Sequence, residues 1–230
     1  MTRVLLVEDE SRLLQGLRVN LEARGYQVDA ASDGASALAS AASRPPDVAI
    51  VDLGLPDIDG VDVILGLRAW GSMSIIVLSA RGDEPDKIAA LDAGADDFVT
   101  KPFGMGELLA RIRAAERRAD ATVAGGAVVE TPDFEVDLAA KRIVRGGEVV
   151  HLTPTEWHLV EILVSNPGKL VTQQQLLHDV WGPRYEDETN YLRVYMAQIR
   201  RKLEPEPTTP RYFFTEPGMG YRFESGTPEA

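Results

Sequence analysis

Cysteine is absent from all 230 residues. That excludes disulfides and thiolate metal sites, and it fits a reducing, cytoplasmic setting. No apolar run approaches the roughly 18 residues of a membrane-spanning helix, so no membrane role is expected. The chain passes from Met1-Thr2-Arg3 directly into a strand-like run, so no secretory signal is expected. Positive charge is scarce: 24 Lys and Arg face 36 Asp and Glu, a formal net charge of −12. As a total, that disfavours nucleic-acid binding. The distribution does not, because Thr189–Leu203 holds Arg193, Arg200, Arg201 and Lys202 and no acid. The length and the 44% hydrophobic content fit two modest globular domains with real cores.

Up to about residue 118, short apolar runs alternate with helical periods. The runs centre on Val4–Val7, Gln27–Ala30, Val48–Asp52, Ile75–Leu78 and Phe98–Thr100. Runs of four to six apolar, β-branched residues read as strands buried on both faces of a parallel sheet. Five βα units in this order predict an α/β fold, a doubly wound (βα)5 parallel-sheet domain over residues 1–118. A small, polar stretch at 119–125 reads as a linker, residues 126–225 as a second domain and 226–230 as a frayed tail.

In an open parallel sheet, ligands bind where the carboxyl ends of the strands meet. Here those ends carry Glu8 and Asp9, Asp52, Ser79 and Lys101. Carboxylates brought together repel unless a cation sits between them, and an oxygen-only set suits Mg²⁺. The expected ligands are Asp9 and Asp52 directly, Glu8 through water and the Gly54 carbonyl. Asp52 can also act as a nucleophile toward phosphorus, with Lys101 pairing one phosphoryl oxygen and the Ser79 hydroxyl bonding another. Taken singly, Asp9 reads more readily as a helix cap and Asp52 as a turn residue; it is their convergence that favours the chemical reading. An enzyme turning over an external phosphoester would use the same acids. The common aspartyl-phosphate enzymes, however, carry a second acid two residues after the nucleophile, where this chain has Gly54.

The second half opens with short alternating strands and a Gly146-Gly147 hairpin. A helix with Thr153 as N-cap and Glu156 completing a capping box follows. A second helix runs from about Thr172 to Val180, and a third from about Glu188 to Leu203. On the third, Leu192, Met196, Ile199 and Leu203 form an inward stripe, and Asn190, Arg193, Val194, Ala197, Arg200 and Arg201 lie on the outer side. The chain closes with a hairpin from Arg211 to Glu224. This order predicts an α+β winged helix-turn-helix, whose last helix enters the major groove of double-stranded DNA. A protein-interaction module is the alternative.

Residues 1–118 resemble the receiver domain of two-component response regulators, at Glu8, Asp9, Asp52, Ser79, Phe98 and Lys101. Residues 126–224 resemble the effector domain of the OmpR/PhoB subfamily, in Leu152-Thr-Pro-Thr-Glu156, Leu176-Leu-His-Asp-Val-Trp-Gly182 and Gly220-Tyr-Arg-Phe223. The resemblance implies phosphorylation of Asp52 by a sensor histidine kinase, with Phe98 as an aromatic switch. It also implies phosphate contacts from Trp181 and Thr215, and contact between the segment 182–188 and RNA polymerase. Pro217 stands where many members carry a minor-groove arginine, so Arg211 or Arg222 is the expected substitute. Phosphorylated members pair as homodimers, which implies a surface here of Lys87 with Glu107 and Asp96 or Asp97 with Arg111, around Leu91 and Leu109. Finally, Asp52-Leu-Gly-Leu-Pro-Asp57, the stretch Asp86–Asp97, Lys101-Pro-Phe-Gly104 and Tyr191–Met196 are similar to regulators of high-affinity potassium-transport operons.

Overall fold

A computed structural model describes residues 1–71, 73–80, 83–120, 128–185 and 189–226. The chain forms two compact units, Met1–Ala119 and Asp120–Ala230. Most of the expected linker (residues 121–125) and of the expected tail (227–230) lies outside the described residues.

The first unit is a parallel sheet of β1 (Arg3–Val7), β2 (Gln27–Ala31), β3 (Val48–Asp52), β4 (Ser74–Ser79) and β5 (Asp97–Thr100). The strands lie in the order β2-β1-β3-β4-β5. The order reverses between β1 and β3, so the crevice of the doubly wound fold opens at the ends that carry Glu8 and Asp52. β3 and β4 are buried along their whole length, which is why both faces had to be apolar. Around the sheet run α1 (Ser11–Glu22), α2 (Gly34–Ser43), α3 (Gly60–Arg68), α4 (Glu84–Asp92) and α5 (Met105–Asp120). Val4, Leu6 and Ile50 of the sheet pack with Leu17 and Leu21 of α1 and Leu108 and Ile112 of α5. Each of these apolar side chains contributes about 1.5–3 kcal/mol by leaving water.

The second unit begins with an antiparallel meander of β6 (Val128–Glu130), β7 (Phe134–Asp137), β8 (Arg142–Arg145) and β9 (Glu148–Val150). Gly146 and Gly147, at φ 59° and 86°, make the tight β8–β9 turn that a β-carbon would strain. Then come α6 (Pro154–Val164), β10 (Leu170–Thr172), α7 (Gln173–Trp181), a 3₁₀ turn at Pro183–Tyr185, α8 (Thr189–Leu203), β11 (Phe213–Glu216) and β12 (Gly220–Phe223). The capping box on α6 forms as read: Thr153 accepts from the Glu156 N–H, and Glu156 accepts from the Thr153 N–H. The inward stripe of α8, Leu192, Met196, Ile199 and Leu203, is buried throughout. β10 is an addition to the sequence reading. Its three residues pair with β12, Leu170 opposite Arg222, and the three-stranded sheet in the order β10-β12-β11 completes the wing.

Candidate functional site

Each chemical group in the first unit sits at the end of a different strand or in the loop that follows. Glu8 and Asp9 follow β1, Asp52 ends β3, Ser79 ends β4 and Lys101 follows β5. The parallel register places these ends side by side. The Lys101 N–H donates to the Ser79 carbonyl at 2.8 Å. The Lys101–Pro102 peptide is cis. Oxygen atoms of Glu8, Asp9 and Asp52 all lie within 4.8 Å of one another. Glu8 is fully buried and Asp52 is 7% exposed, whereas Asp9 is open to solvent.

One ammonium balances the buried pair. Lys101 Nζ lies 2.7 Å from Glu8 Oε2 and 2.6 Å from Asp52 Oδ2. Burial pushes the Glu8 carboxyl above its usual range; the bond and charge of Lys101 pull the other way, and Asp52 adds to the rise. For Lys101, burial favours the neutral amine. The bonds and charges of Asp52 and Glu8 outweigh burial, and the amine stays protonated more firmly than usual. Asp52 Oδ1 accepts the Gly54 N–H at 3.1 Å, so the loop after β3 turns its backbone toward the carboxylate. Ser79 is buried at its strand end, and Phe98 is buried beneath Lys87, whose Nζ lies 5.9 Å from the ring centroid.

The expected pairing surface is altered. Asp96 is fully buried, and its carboxylate accepts from the Arg68 guanidinium and from the Ile75 N–H at 2.9 Å. It braces β4 inside the protomer and is withdrawn from any surface. Arg111 binds Asp97 at 2.8 Å and Glu107 at 2.7 Å within one protomer. Leu91 and Leu109 are buried in their own unit and offer no exposed apolar patch. Helical spacing marked them as apolar correctly, but it does not say what covers them.

In the second unit, α8 presents Asn190, Arg193 and Arg201 to solvent, with Val194 and Ala197 half-exposed between them. The reading of Arg200 as part of that face is corrected. Its Nε and Nη2 donate to the Phe213 carbonyl at 2.9 and 2.6 Å, and Nη2 also reaches Thr215 Oγ1 at 2.7 Å. Arg200 therefore ties α8 to β11 and engages the Thr215 hydroxyl, and burial lowers its pKa. Trp181, expected at a phosphate, is 4% exposed and packs among Tyr185, Tyr191 and Tyr195. Arg222 is held by Glu216 at 2.6 Å and by Glu224, and Arg211 lies 3.4 Å from Asp133. Neither stands free to replace the arginine missing at Pro217. Of the segment 182–188, residues 186–188 lie outside the described residues.

Sequence reasoning missed Glu204. It ends the cation run on paper, yet its carboxylate turns inward and accepts the N–H groups of Arg211, Tyr212 and Phe213 at 2.8, 3.0 and 2.8 Å. No periodicity in the sequence signals this, because the donors are backbone groups.

Comparison with known proteins agrees with both halves. Residues 4–113 match the response regulator receiver domain. Residues 147–223 match the C-terminal domain of transcriptional regulatory proteins. The transcriptional regulatory protein KdpE of Mycobacterium tuberculosis is 59% identical over 226 residues, covering 98% of this chain and all of that one. The KDP operon transcriptional regulatory protein KdpE of Escherichia coli is 54% identical over 223 residues, covering 97% and 99%. Among solved structures, a RitR mutant superposes with a TM-score of 0.80 at 28% identity, covering 98% of this chain and 100% of that one. DrrB of Thermotoga maritima, an OmpR/PhoB homolog, gives 0.53 at 28% identity, covering 97% and 99%. With a receiver in one half and a transcription-regulator domain in the other, the chain belongs to the two-component response regulators as a DNA-binding, transcription-controlling member of the OmpR/PhoB type.

Proposed function

We propose that a sensor histidine kinase phosphorylates Asp52 in the cytoplasm, and that the modified protein pairs and occupies DNA upstream of a potassium-transport operon. The observation that supports this best is the convergence of Glu8, Asp9 and Asp52 around the Lys101 ammonium. The donors are hard oxygens, which suits Mg²⁺. Glu8, Asp9, Asp52 and the Gly54 carbonyl would hold the ion; bound there, it would offset the charge of a transferring phosphoryl group. An Asp52 oxygen attacks phosphorus as the bond to the donor histidine nitrogen breaks, and the leaving electron pair stays on that nitrogen. Lys101 passes from the Asp52 oxygen to a phosphoryl oxygen. Ser79 donates its hydroxyl to another, and Phe98 follows behind it. The receiver thus catalyses its own modification and turns over no external substrate.

Pairing would use α4, β5 and α5, with Lys87, Glu107 and Arg111 as the charged members, Asp97 being buried and holding Arg111 within the protomer. Exposed ion pairs contribute on the order of 0–1 kcal/mol each, so these charges set register more than affinity. On DNA, α8 would enter the major groove and present Asn190, Arg193, Val194, Ala197 and Arg201, and the segment 182–188 would meet RNA polymerase. The target operon follows the printed name of the Escherichia coli relative, which is 54% identical.

The test is Asp52→Asn, given acetyl phosphate and Mg²⁺. Wild type is expected to gain one phosphoryl group by intact mass and to bind DNA from upstream of potassium-transporter genes more tightly. The variant is expected to do neither. Equal labelling of the two proteins would remove Asp52 as the acceptor, and equal affinity for unrelated DNA would remove the operon assignment.

A further inference from the structure

The first N–H groups of an α-helix have no partner within the helix and take one from a side chain nearby. At the start of α2, Asp33 provides the local cap and accepts the Ser36 N–H at 2.8 Å. The two N–H groups before it are claimed from a distance. Asp57, in the loop between β3 and α3, accepts the Gly34 N–H on Oδ1 at 2.8 Å and the Ala35 N–H on Oδ2 at 2.9 Å. Contact is close: a β-carbon on Gly34 would lie 2.7 Å from Val63 and 3.1 Å from Ile58.

The same loop carries Gly54, whose N–H holds Asp52 Oδ1. At its far end Gly60 donates to the Leu53 carbonyl at 3.3 Å, and a β-carbon there would meet Leu53 Cα at 2.4 Å. On the opposite wall of the acidic pocket, the Glu8 N–H donates to the Ala31 carbonyl at 3.1 Å. Both acid-bearing loops are therefore anchored to one short segment, residues 31–35: one loop through Glu8 and the other through Asp57.

We propose that Asp57 is a positioning residue for the cation site: by clamping the β3–α3 loop to the start of α2, it sets the spacing between the Glu8 and Asp9 wall and the Asp52 and Gly54 wall. The inference rests on the reading of that pocket as a Mg²⁺ site. Groups that orient metal ligands without touching the metal are commonly worth 10–100-fold in affinity, because an ion of strict geometry penalises small displacements. The backbone donors at Gly34 and Ala35 also hold the Asp57 carboxyl below its usual pKa, so the clamp is a carboxylate at neutral pH.

A purely structural role, capping α2, predicts that Asp33 and Asp57 are equivalent. The full-length protein and its D57A, D57N and D33A variants are titrated with Mg²⁺ by calorimetry and melted in EDTA. D57A is expected to bind Mg²⁺ about tenfold more weakly, and D57N, which keeps one acceptor, to fall between it and wild type. D33A is expected to lower the melting temperature but to bind Mg²⁺ as wild type does. Should D57A not fold, D57N carries the same reading. Wild-type affinity in D57N and D57A, or an equal loss in D33A, overturns the proposal. If wild type itself fails to bind Mg²⁺, or binds it no better than D52N, the pocket reading falls and this inference falls with it.

Discussion

In the first unit two buried carboxylates, Glu8 and Asp52, share one ammonium at the mouth of a sheet. In the second, Arg145, Arg200, Arg211 and Arg222 each reach a carbonyl or an acid of their own unit. The first arrangement leaves an excess of negative charge in a confined place. The second absorbs cations into the frame, and Arg193 and Arg201 of α8 remain exposed. The difference teaches how a strongly acidic chain can concentrate carboxylates in a pocket of one unit and still present arginines to solvent on a helix of the other. Net charge describes neither site; placement describes both.

The sharpest way to break the comparison is to remove the balancing ammonium. Lys101→Ala leaves Glu8 and Asp52 facing each other out of water, and the loss of one partner of a buried pair typically costs about 3 kcal/mol. The expected result by urea unfolding in EDTA is a large drop in stability. Mg²⁺ then restores part of it and binds more tightly than in wild type, because no resident cation competes. Unchanged stability in EDTA would mean that the carboxylates are not under strain.

A smaller effect separates two arginines of one helix. Arg200→Ala removes bonds to the Phe213 carbonyl and Thr215, with an expected loss of about 1–2 kcal/mol of unfolding free energy. The slope of DNA affinity against salt should stay as it was. Arg193→Ala should leave stability within about 0.5 kcal/mol. It should weaken DNA binding about tenfold and, if the contact is to a phosphate, reduce the salt slope by about one. Identical behaviour of the two variants would refute the division of α8 into a framework edge and a reading face.

The smallest effect is a pH dependence. The Gly34 and Ala35 N–H groups hold the folded Asp57 carboxyl below the ordinary aspartate pKa, so its contribution to stability is present above the ordinary value and is lost as pH falls through the folded one. The difference in stability between wild type and D57N should be flat near neutral pH and shrink below about pH 4. Acid melts of both proteins check this; a difference that grows on acidification would reverse the sign.

Much of the first unit was legible from its residues. A strand buried on both faces must be apolar throughout, and a polar residue ending such a run stands at the crevice. Glu8, Asp52, Ser79 and Lys101 were found in that way, and the capping box at Thr153 and Glu156 announced α6. What escaped were partners. Arg200, Asp57 and Glu204 each bind backbone groups 7 to 23 residues away, and backbone donors and acceptors leave no mark in a sequence. Leu91, Leu109 and Asp96 were placed on a pairing surface by the family resemblance, yet all three are buried within their own unit. β10 is three residues long and exists only because β12 passes beside it.

The sequence alone determined the periodicities: which residues form strands and helices, which side of α8 is apolar, and which acids end parallel strands. These are local properties, set by backbone geometry over a few residues. The tertiary structure alone decided which charges are spent inside the fold and which are left for a partner. Hydrogen bonds and ion pairs act only over a few ångströms, and distances of that size between remote residues exist only once the chain has folded.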